Sequence, residues 1–424
     1  TRYIGVTGVQ TCALPISPPM RIEGEPRPGD RYGEFEILRV LGSGAFAWVL
    51  AVRSPKYAEP VALKLSRLPI ASEDVAKRAL REIRILEAMK NPHVVHVLDH
   101  GLGEDERWYM VMELLRGSDL SACHDFDRPM PPARAVRLVY EACVGLDEAH
   151  RMGVVHRDVK PGNLWVTHDD AIKVLDFGLA RAWDTRTTLS ENATVGHMLI
   201  GTPHYAQPEQ MVSGKLTPAS DVYSLGIVLY ELLVGRTPLF ADESCNAVRE
   251  RLADDPLAWL AAHIKQALVP IDRYPEGRRL SPTLIRIVHW MLDKDPAIRP
   301  ARGGEAARHL AWVLHVELGT RVAGLLGIRQ ADQQRAHLLI PGSHSIGSAP
   351  ECDIAIASEG PPRTLAKLDW RGPPSEAVLR PEPEAGLLVN GHPIAHAVRL
   401  VAGTFFELAG TRFVLEYPPP RAHA

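Results

Sequence analysis

The chain has 424 residues, of which 46% are hydrophobic and 23% charged, and its formal net charge is −3 at pH 7. This length predicts more than one domain, and the near-neutral charge gives no indication of nucleic acid or a membrane surface as a partner. No apolar run approaches the ~18–20 residues that span a bilayer. The five cysteines are scattered without metal-type spacing, which is typical of a reducing compartment, so we expect a cytoplasmic protein.

The first nineteen residues match no periodic element and resemble translated sequencing-adapter read-through. Thr1 is not an initiator, so we expect residues 1–19 to be a non-native segment and Met20 to be the start, followed by a leader over 20–31. A signal peptide is the alternative, but no apolar core of sufficient length follows a basic start.

Short strands are predicted over residues 33–65. An alternating run at 35–41 ends at Gly42-Ser43-Gly44, after which a second strand resumes. A lone Gly-x-Gly is more often an ordinary hairpin turn. Because this one lies between two strands, the pattern favours a loop that folds over phosphates and not a Rossmann turn. A third strand at 61–64 ends in Lys64.

A predicted helix, a buried strand and a second helix follow in the chain. Apolar residues recur at helical spacing from Ser72 to Met89, with Glu82 beside the apolar stripe. The apolar run at 108–115 predicts a buried strand that leads into a connector. Residues 133–150 have the amphipathic pattern of a core helix.

Polar side chains at fixed spacing occupy the turns of residues 156–178. The sequence His-Arg-Asp-Val-Lys-Pro-Gly-Asn ends at Asn163, and Asp176 begins Asp-Phe-Gly. Predicted strands between them form a hairpin that brings Asn163 and Asp176 together as hard oxygen ligands for Mg²⁺. Phosphoryl transfer needs positioning and cancellation of negative charge. Asp158 can orient a substrate hydroxyl at the γ-phosphate, and Lys160 can neutralise the migrating phosphoryl group.

These residues resemble the catalytic core of eukaryotic-type protein kinases over about Tyr32 to Val313. The resemblance implies an α+β, bilobal kinase domain over 32–313, with a β-rich N-lobe and an α-rich C-lobe. It implies ATP and Mg²⁺ as cofactors, and Lys160 with Thr202 resemble the serine/threonine branch. The implied catalytic residues are Asp158, Lys160, Lys64 and Glu82, where Lys64 grips the α- and β-phosphates and pairs with Glu82. The implied magnesium ligands are Asn163 and Asp176. The implied ATP-binding residues are Leu41, Gly42, Ser43, Gly44, Ala45, Val49, Ala62, Lys64, Met112, Glu113, Leu115, Asp119 and Trp165.

Several positions depart from the family pattern or have two interpretations. Ala47 stands where the family has a third glycine, which should stiffen the loop slightly. Trp165 falls where a medium aliphatic residue lies beneath the adenine, so it either narrows the pocket or changes the stacking. Gln207 replaces the alanine of Ala-Pro-Glu. Asp119 either hydrogen-bonds the ribose or caps the helix that follows it.

The polar loop between Gly178 and Gly201 is the expected activation loop. In related kinases, the residue at the position of Arg157 pairs with a phosphate on this loop through charge-assisted hydrogen bonds. We therefore predict activation by phosphorylation, and a merely solvated threonine-rich loop is the alternative. The candidate phosphosites are Thr185, Thr187, Thr188, Ser190 and Thr194.

Structural roles follow from the same resemblance. Asp221 is expected to brace the catalytic loop by accepting backbone N–H bonds. Glu209 and Arg299 resemble the buried ion pair that ties the activation segment to the lower lobe.

The remainder of the chain has a different character. Residues 314–336 are expected to form a helix or linker, and 418–424 a tail. Between them, closely spaced alternating runs over 337–417 predict an all-β sandwich. Their order resembles a forkhead-associated domain, which reads phosphothreonine.

This resemblance fails where the phosphate would bind. Ser348 replaces the family arginine, and Pro362 and Leu365 replace its serine and histidine, although Arg363 and Asn390-Gly391 remain. A degenerate domain that docks proteins or packs on the kinase is favoured over a working reader.

The favoured interpretation is a bacterial ATP-dependent serine/threonine kinase that phosphorylates proteins, autophosphorylates its activation loop and acts in signal transduction. A nucleotide-binding pseudokinase scaffold is one alternative. A scaffold can lose its catalytic residues without penalty, so it is disfavoured by the presence of all five here: Lys64, Glu82, Asp158, Asn163 and Asp176. A phosphopeptide adaptor built on the C-terminal module is another. Small-molecule kinases normally lack the Gly-Thr-Pro-x-Tyr and Pro-Glu segments that shape a peptide platform, so protein is the expected substrate.

Overall fold

The computed structural model describes residues 22, 24–69, 83–177, 203–320, 322, 324–330, 333–372 and 376–416. These residues form two compact units. The first contains the described residues up to Glu87 together with His96–Leu115, and the second contains the rest. Some predictions lie outside the described residues: the adapter-like segment, the tail, Glu82, Gly178, Thr202, Thr185, Thr187, Thr188, Ser190 and Thr194.

The first unit is built on an antiparallel sheet with the strand order β1-β2-β3-β4-β6-β5. Apolar side chains alternate along the strands, and those on one face form a core that includes Tyr32, Phe35, Leu50 and Leu63. Residues 83–88 are helical, at the end of the helix expected from Ser72 to Met89. The strands are β1 (Arg31–Tyr32), β2 (Phe35–Ser43), β3 (Ala47–Arg53), β4 (Val61–Ser66), β5 (Val97–Leu102) and β6 (Trp108–Glu113).

The second unit begins with a mainly helical region. Its helices are α1 (Leu120–Cys123), α2 (Pro132–Arg151), α3 (Pro208–Val212), α4 (Pro218–Val234), α5 (Cys245–Arg251), α6 (Pro256–Lys265), α7 (Pro282–Met291) and α8 (Gly303–Trp312). Helix α2 confirms the amphipathic helix predicted over 133–150. Helix α4 begins with a capping box of Thr217 and Ser220 and ends at Gly235, whose φ of 65° suits glycine.

A small three-stranded sheet carries the catalytic segment between α2 and α3. Its strands are β7 (Gly117–Asp119), β8 (Leu164–Thr167) and β9 (Ile172–Val174), paired in that order. A 3₁₀ turn over Pro161–Asn163 leads directly into β8. The hairpin predicted between Asn163 and Asp176 is therefore confirmed.

The C-terminal module consists of two sheets packed over one apolar core. Their strand orders are β11-β10-β20-β19-β16-β17 and β13-β12-β14-β15-β18. Both sheets contribute to the core, which contains Trp370 and in which the rings of Phe406 and Phe413 stack 4.6 Å apart. The predicted β-sandwich is confirmed. The strands are β10 (Gly324–Gln330), β11 (Gln333–Leu339), β12 (Gly342–Gly347), β13 (Ile354–Ala355), β14 (Thr364–Trp370), β15 (Ala377–Pro381), β16 (Leu388–Val389), β17 (His392–Pro393), β18 (Val398–Leu400), β19 (Phe405–Leu408) and β20 (Thr411–Glu416).

The module starts earlier than the boundary expected at residue 337. Strand β10 and most of β11 lie within 314–336, which was expected to be helix or linker; the helical part ends with a π-helical turn over Val313–Glu317. Strand β10 pairs with both β11 and the distant β20, so partners outside its own segment define it. The sequence of residues 400–408 reads as one continuous strand, but it contains the end of β18 and all of β19, separated by a turn.

Among the described residues, no helix is both long and apolar enough to cross a membrane.

Candidate active site

A buried aspartate holds the catalytic loop in place. Asp221 on α4 is fully buried, and its Oδ1 accepts a hydrogen bond from the backbone N–H of Arg157 at 2.8 Å. Its Oδ2 accepts from the backbone N–H of His156 and from His150 Nε2, both at 2.8 Å. Burial by itself would raise the pKa of Asp221, but these hydrogen bonds bring the pKa below its ordinary value. The predicted brace is confirmed, and His150 is a further member that the sequence analysis missed.

His156 connects two parts of the segment through its imidazole ring. Its Nε2 lies 2.7 Å from the Leu175 carbonyl oxygen, and its Nδ1 is 3.3 Å from the backbone N–H of Asp158. Since Nδ1 accepts from an N–H, the ring carries its proton on Nε2 and donates to Leu175. The buried ring also packs against Phe177 at 4.8 Å. His156 thus fixes Asp158 relative to the chain that enters Asp176.

The predicted catalytic residues of the loop lie together. Lys160 Nζ is 2.8 Å from Asp158 Oδ2, and the Asp158 side chain remains 40% exposed. Asn163 Nδ2 donates to the backbone oxygen of Asp158 at 2.7 Å and to its Oδ2 at 3.1 Å. The carboxylate is therefore oriented by two neighbours and still accessible to a substrate.

The backbone is strained on both sides of this group. Arg157 has φ 68° and Asp176 has φ 51°, in the left-handed region that non-glycine residues rarely adopt. The backbone hydrogen bonds that Asp221 accepts, and the hydrogen bond between His156 and Leu175, hold the chain in this conformation. Such outliers concentrate at functional sites. With Asn163 Nδ2 turned toward Asp158, the amide presents its oxygen as a ligand atom. Together with the Asp176 carboxylate, it fits the hard-oxygen chemistry that Mg²⁺ prefers.

The first unit contains the predicted phosphate-binding loop. The loop turns through a hydrogen bond from Gly44 N to Ala47 O at 3.0 Å. Ala47 is the residue that stands at the position of the family's third glycine. Arg67 holds the turn, because its Nε donates to Gly44 O at 2.7 Å and its guanidinium hydrogen-bonds Ser43 Oγ and stacks on Trp48. Arg67 is a positioning residue that the sequence analysis missed, since it lies beyond the end of β4.

The other predicted ATP-binding residues of this unit lie on its central strands. Lys64 is on β4, with Val49 of β3 and Met110 of β6 as its register neighbours. Its predicted pairing with Glu82 lies outside the described residues. The remaining residues are Leu41, Gly42 and Ser43 on β2, Ala45 in the loop, Ala62 on β4, Met112 and Glu113 on β6, and Leu115 just beyond it.

Two predicted nucleotide contacts belong to the second unit. Asp119 caps α1, because its Oδ1 accepts from the Ala122 backbone N–H at 3.0 Å. Its cap role is thus confirmed, and its ribose role stays a prediction. Trp165 on β8 pairs with Asp119 of β7, and its indole Nε1 is a buried donor that lacks a hydrogen-bond partner among the described residues. The effect of Trp165 on adenine binding stays a prediction.

The residues after the activation segment are anchored by the predicted ion pair. Arg299 Nη1 and Nη2 each lie 2.9 Å from a carboxylate oxygen of Glu209, with both side chains buried. Gln207, which replaces the family alanine, donates to Ser224 Oγ at 2.7 Å. The substitution is thus accommodated by a hydrogen bond.

A second polar cluster beneath this segment was not predicted. His204 stacks between Tyr205 and Trp259, with ring separations of 4.4 and 4.2 Å. The buried Glu231 hydrogen-bonds His204, the Tyr205 hydroxyl at 2.9 Å, and Arg249 at 3.3 Å. Apart from the adjacent His204 and Tyr205, its members come from three separate helices, so no local spacing indicates the cluster.

Comparison with known proteins agrees with this geometry. Residues 35–313 match the family model described as the protein kinase domain. The chain belongs to the protein kinase family. It is 34% identical over 278 residues to the serine/threonine-protein kinase PknB of Mycobacterium leprae, covering 62% of this chain and 44% of that protein. It is 32% identical over 273 residues to the serine/threonine-protein kinase pkn3 of Myxococcus xanthus, covering 63% and 48%.

The kinase thus spans less than half the length of these two relatives. A crystal structure of a double mutant of the PknI kinase domain from Mycobacterium tuberculosis is 21% identical to it, with a TM-score of 0.50 over 69% of this chain and all of that one. This likeness shows the fold alone. The expected bilobal kinase fold, with a β-rich N-lobe and a helical C-lobe, is confirmed.

Proposed function

We propose that this chain is an ATP-dependent serine/threonine protein kinase that transfers the γ-phosphate to protein hydroxyls. The supporting observation is the catalytic loop, in which Asp158 is oriented by Lys160 and Asn163 while the loop is held by Asp221. The names of the relatives, which are serine/threonine-protein kinases, agree with this activity. Lys160 occupies the position typical of that branch.

In this mechanism Asp158 accepts a hydrogen bond from the substrate hydroxyl and orients its oxygen for attack. Lys160 lies 2.8 Å from Asp158 and offsets the negative charge that gathers beside it during transfer. Asn163 and Asp176 would hold Mg²⁺, which supplies charge neutralisation at the phosphates when bound. In the first unit, backbone N–H groups of the glycine-rich loop and Lys64 would bind the phosphates.

The proposal is tested by incubating the full chain with Mg-ATP and a generic basic protein substrate, alongside Asp158→Ala. We expect phosphate incorporation by the wild-type chain and a loss of about 10³-fold or more in the variant. ATP binding, measured by titration, should be little changed in the variant. ATP binding without incorporation by either chain would instead support a scaffold function.

We also propose that the kinase autophosphorylates its activation loop. Arg157 directly precedes Asp158, and its side chain is exposed and thus accessible to a phosphate. Phosphosite mapping by mass spectrometry should find phosphate between Thr185 and Thr194 in the wild-type chain and none in Asp158→Ala. Phosphate in both chains would indicate a contaminating kinase, and its absence from this loop in an active wild-type chain would contradict the proposal.

For the C-terminal module, we propose a forkhead-associated-like domain that has lost phosphothreonine reading and packs on the kinase domain. At the position of the family arginine, Ser348 Oγ accepts from the backbone N–H of Arg363 at 3.3 Å and from Ser358 Oγ at 2.9 Å. These neutral groups offer little charge to a phosphate. Titration of the full chain with phosphothreonine peptides should show no binding, whereas binding that Arg363→Ala abolishes would establish a working reader.

A further inference from the structure

A carboxylate of the C-terminal module is buried against two arginines of the helical region. The Asp353 side chain is 3% exposed. Its Oδ1 accepts from Arg151 Nη2 at 3.2 Å and from Arg302 Nη2, and its Oδ2 accepts from Arg151 Nη1 at 3.2 Å. Ser345 fixes this carboxylate from within the module, through its Oγ at 2.9 Å and its backbone N–H at 3.0 Å. Burial would raise the pKa of Asp353, but Arg151 and Ser345 bring it well below its ordinary value.

The same two arginines bind a carboxylate of the kinase domain. Arg151 Nε donates to Asp147 Oδ2 at 2.7 Å, and Arg302 Nη1 donates to Asp147 Oδ1 at 3.2 Å. The carboxylates of Asp353 and Asp147 therefore alternate with the guanidinium groups of Arg151 and Arg302, and each of these four charges has a partner of opposite sign. Beside this network, the Tyr140 hydroxyl donates to the Val322 carbonyl oxygen at 3.0 Å, just before the first strand of the module.

Hydrogen bonds continue from Asp147 to the catalytic loop. The backbone N–H of Gly304 donates to Asp147 Oδ1 at 2.7 Å, and that of Gly303 donates to His150 Nδ1 at 3.1 Å. Because Nδ1 accepts, His150 carries its proton on Nε2 and donates it to Asp221 at 2.8 Å. Asp221 in turn holds the two backbone N–H groups that precede Asp158.

The start of α8 touches α2 too closely for any side chain at either glycine. A Cβ on Gly303 would lie 2.4 Å from the Cys143 carbonyl oxygen, and one on Gly304 would lie 2.5 Å from the Asp147 carboxylate. The two backbone N–H groups reach His150 and Asp147 only through this close approach. The contacts that lead from Asp353 to Asp221 therefore form a continuous path of short, packed contacts, and all of it lies within one compact unit.

We propose that the C-terminal module is a positioning element for the catalytic loop, with Asp353 as the positioning residue on the module. The module acts through Arg151 and Arg302, which order Asp147 and the start of α8, and from there through His150 and Asp221. This inference rests on the proposed kinase function and assigns the module a part in it. Loss of the Asp353 charge leaves the half-buried guanidinium groups of Arg151 and Arg302 with less negative charge to balance them. The contacts that hold the catalytic loop through His150 and Asp221 then become less ordered.

The experiment uses the full chain with Asp353→Asn, and with Glu407→Gln as the matched control. Glu407 pairs with Arg412 on the exposed face of the same module, away from this network. Rates at varied ATP concentration give kcat and KM, and hydrogen exchange with mass spectrometry follows the amides of residues 154–163. We expect kcat to fall about five-fold in Asp353→Asn, with KM for ATP within about two-fold, and loop amides to exchange faster. Glu407→Gln should match the wild-type chain.

A second variant separates positioning from general destabilisation. In His150→Gln, the side-chain amide still donates to Asp221 but offers no acceptor at the Nδ1 position to the Gly303 N–H. Asp353→Asn should then add little further loss of kcat, because the path is already interrupted. Additive losses, or unchanged kcat and exchange in Asp353→Asn, would overturn the inference.

The two proposals fail in different ways. If the wild-type chain transfers no phosphate, the proposed kinase function fails, and the exchange rates of residues 154–163 alone decide whether Asp353 positions the loop. If Asp353→Asn fails to fold by circular dichroism, Arg302→Lys provides the same test. It keeps the positive charge but loses the paired donors to Asp147 and Asp353.

Discussion

Replacing Asp221 by asparagine should damage both the stability and the catalytic rate of this kinase. The carboxylate accepts three hydrogen bonds in a fully buried position. Asparagine keeps one acceptor oxygen and places an NH₂ group against a donor, so one backbone N–H of the catalytic loop loses its partner. An unpaired buried donor costs about 1–3 kcal/mol, and the remaining bonds lose their charge assistance at ~0.5–1 kcal/mol each. We therefore expect a loss of about 2–5 kcal/mol in the free energy of unfolding.

Urea unfolding followed by circular dichroism measures this loss from the shift in midpoint at constant m value. The same variant should lower kcat at least ~10-fold, because Asp158 follows directly on the two residues that Asp221 holds. Glu243→Gln is the control in the same helical region, since it removes an exposed pair with Arg251 and should cost at most ~1 kcal/mol. A loss below ~1 kcal/mol in Asp221→Asn, with normal kcat, would refute the bracing role.

Arg67→Ala should raise KM for ATP by about three- to ten-fold with a smaller change in kcat, because the contacts to Ser43 and Gly44 order the loop before binding; an unchanged KM in steady-state assays would contradict this. Glu209→Gln should lower the free energy of unfolding by ~3–5 kcal/mol in urea titrations, since it leaves Arg299 buried without its counter-charge. An effect no larger than that of an exposed pair would show that the ion pair contributes little. Burial first of all lowers the pKa of His263 to about 3 and of His344 to about 4. Below the unfolded pKa of ~6.5, the unfolded chain therefore binds more protons at these two histidines than the folded chain does. Each histidine should lower the free energy of unfolding by about 2 kcal/mol as the pH falls from 7 to 5. Thermal unfolding at both pH values measures this loss, and His344→Gln should show a smaller drop; an equal drop would rule out a contribution from His344.

Local sequence determined the chemistry of the catalytic segment. Asp158, Lys160 and Asn163 lie within six residues, and Asp176 lies across one short hairpin. Their relative placement depends on one turn and one strand pair, so residue order and spacing were sufficient to predict it. The kinase domain was predicted from the family resemblance that these motifs carry. The β-rich character of the C-terminal module was predicted from its alternating runs, because periodicity is a property of neighbouring residues.

The tertiary structure decided the contacts between residues that are distant in the chain. Strand β10 is defined by its pairing with β20, near the opposite end of the module, so the sequence placed the boundary too late. Arg67 and the network from Asp353 through Arg151 to His150 involve polar side chains without periodic spacing. Such residues can be solvated or buried with equal local plausibility. Only the packing of α2, α4, α8 and the module, which removes these groups from water, makes their pairing necessary.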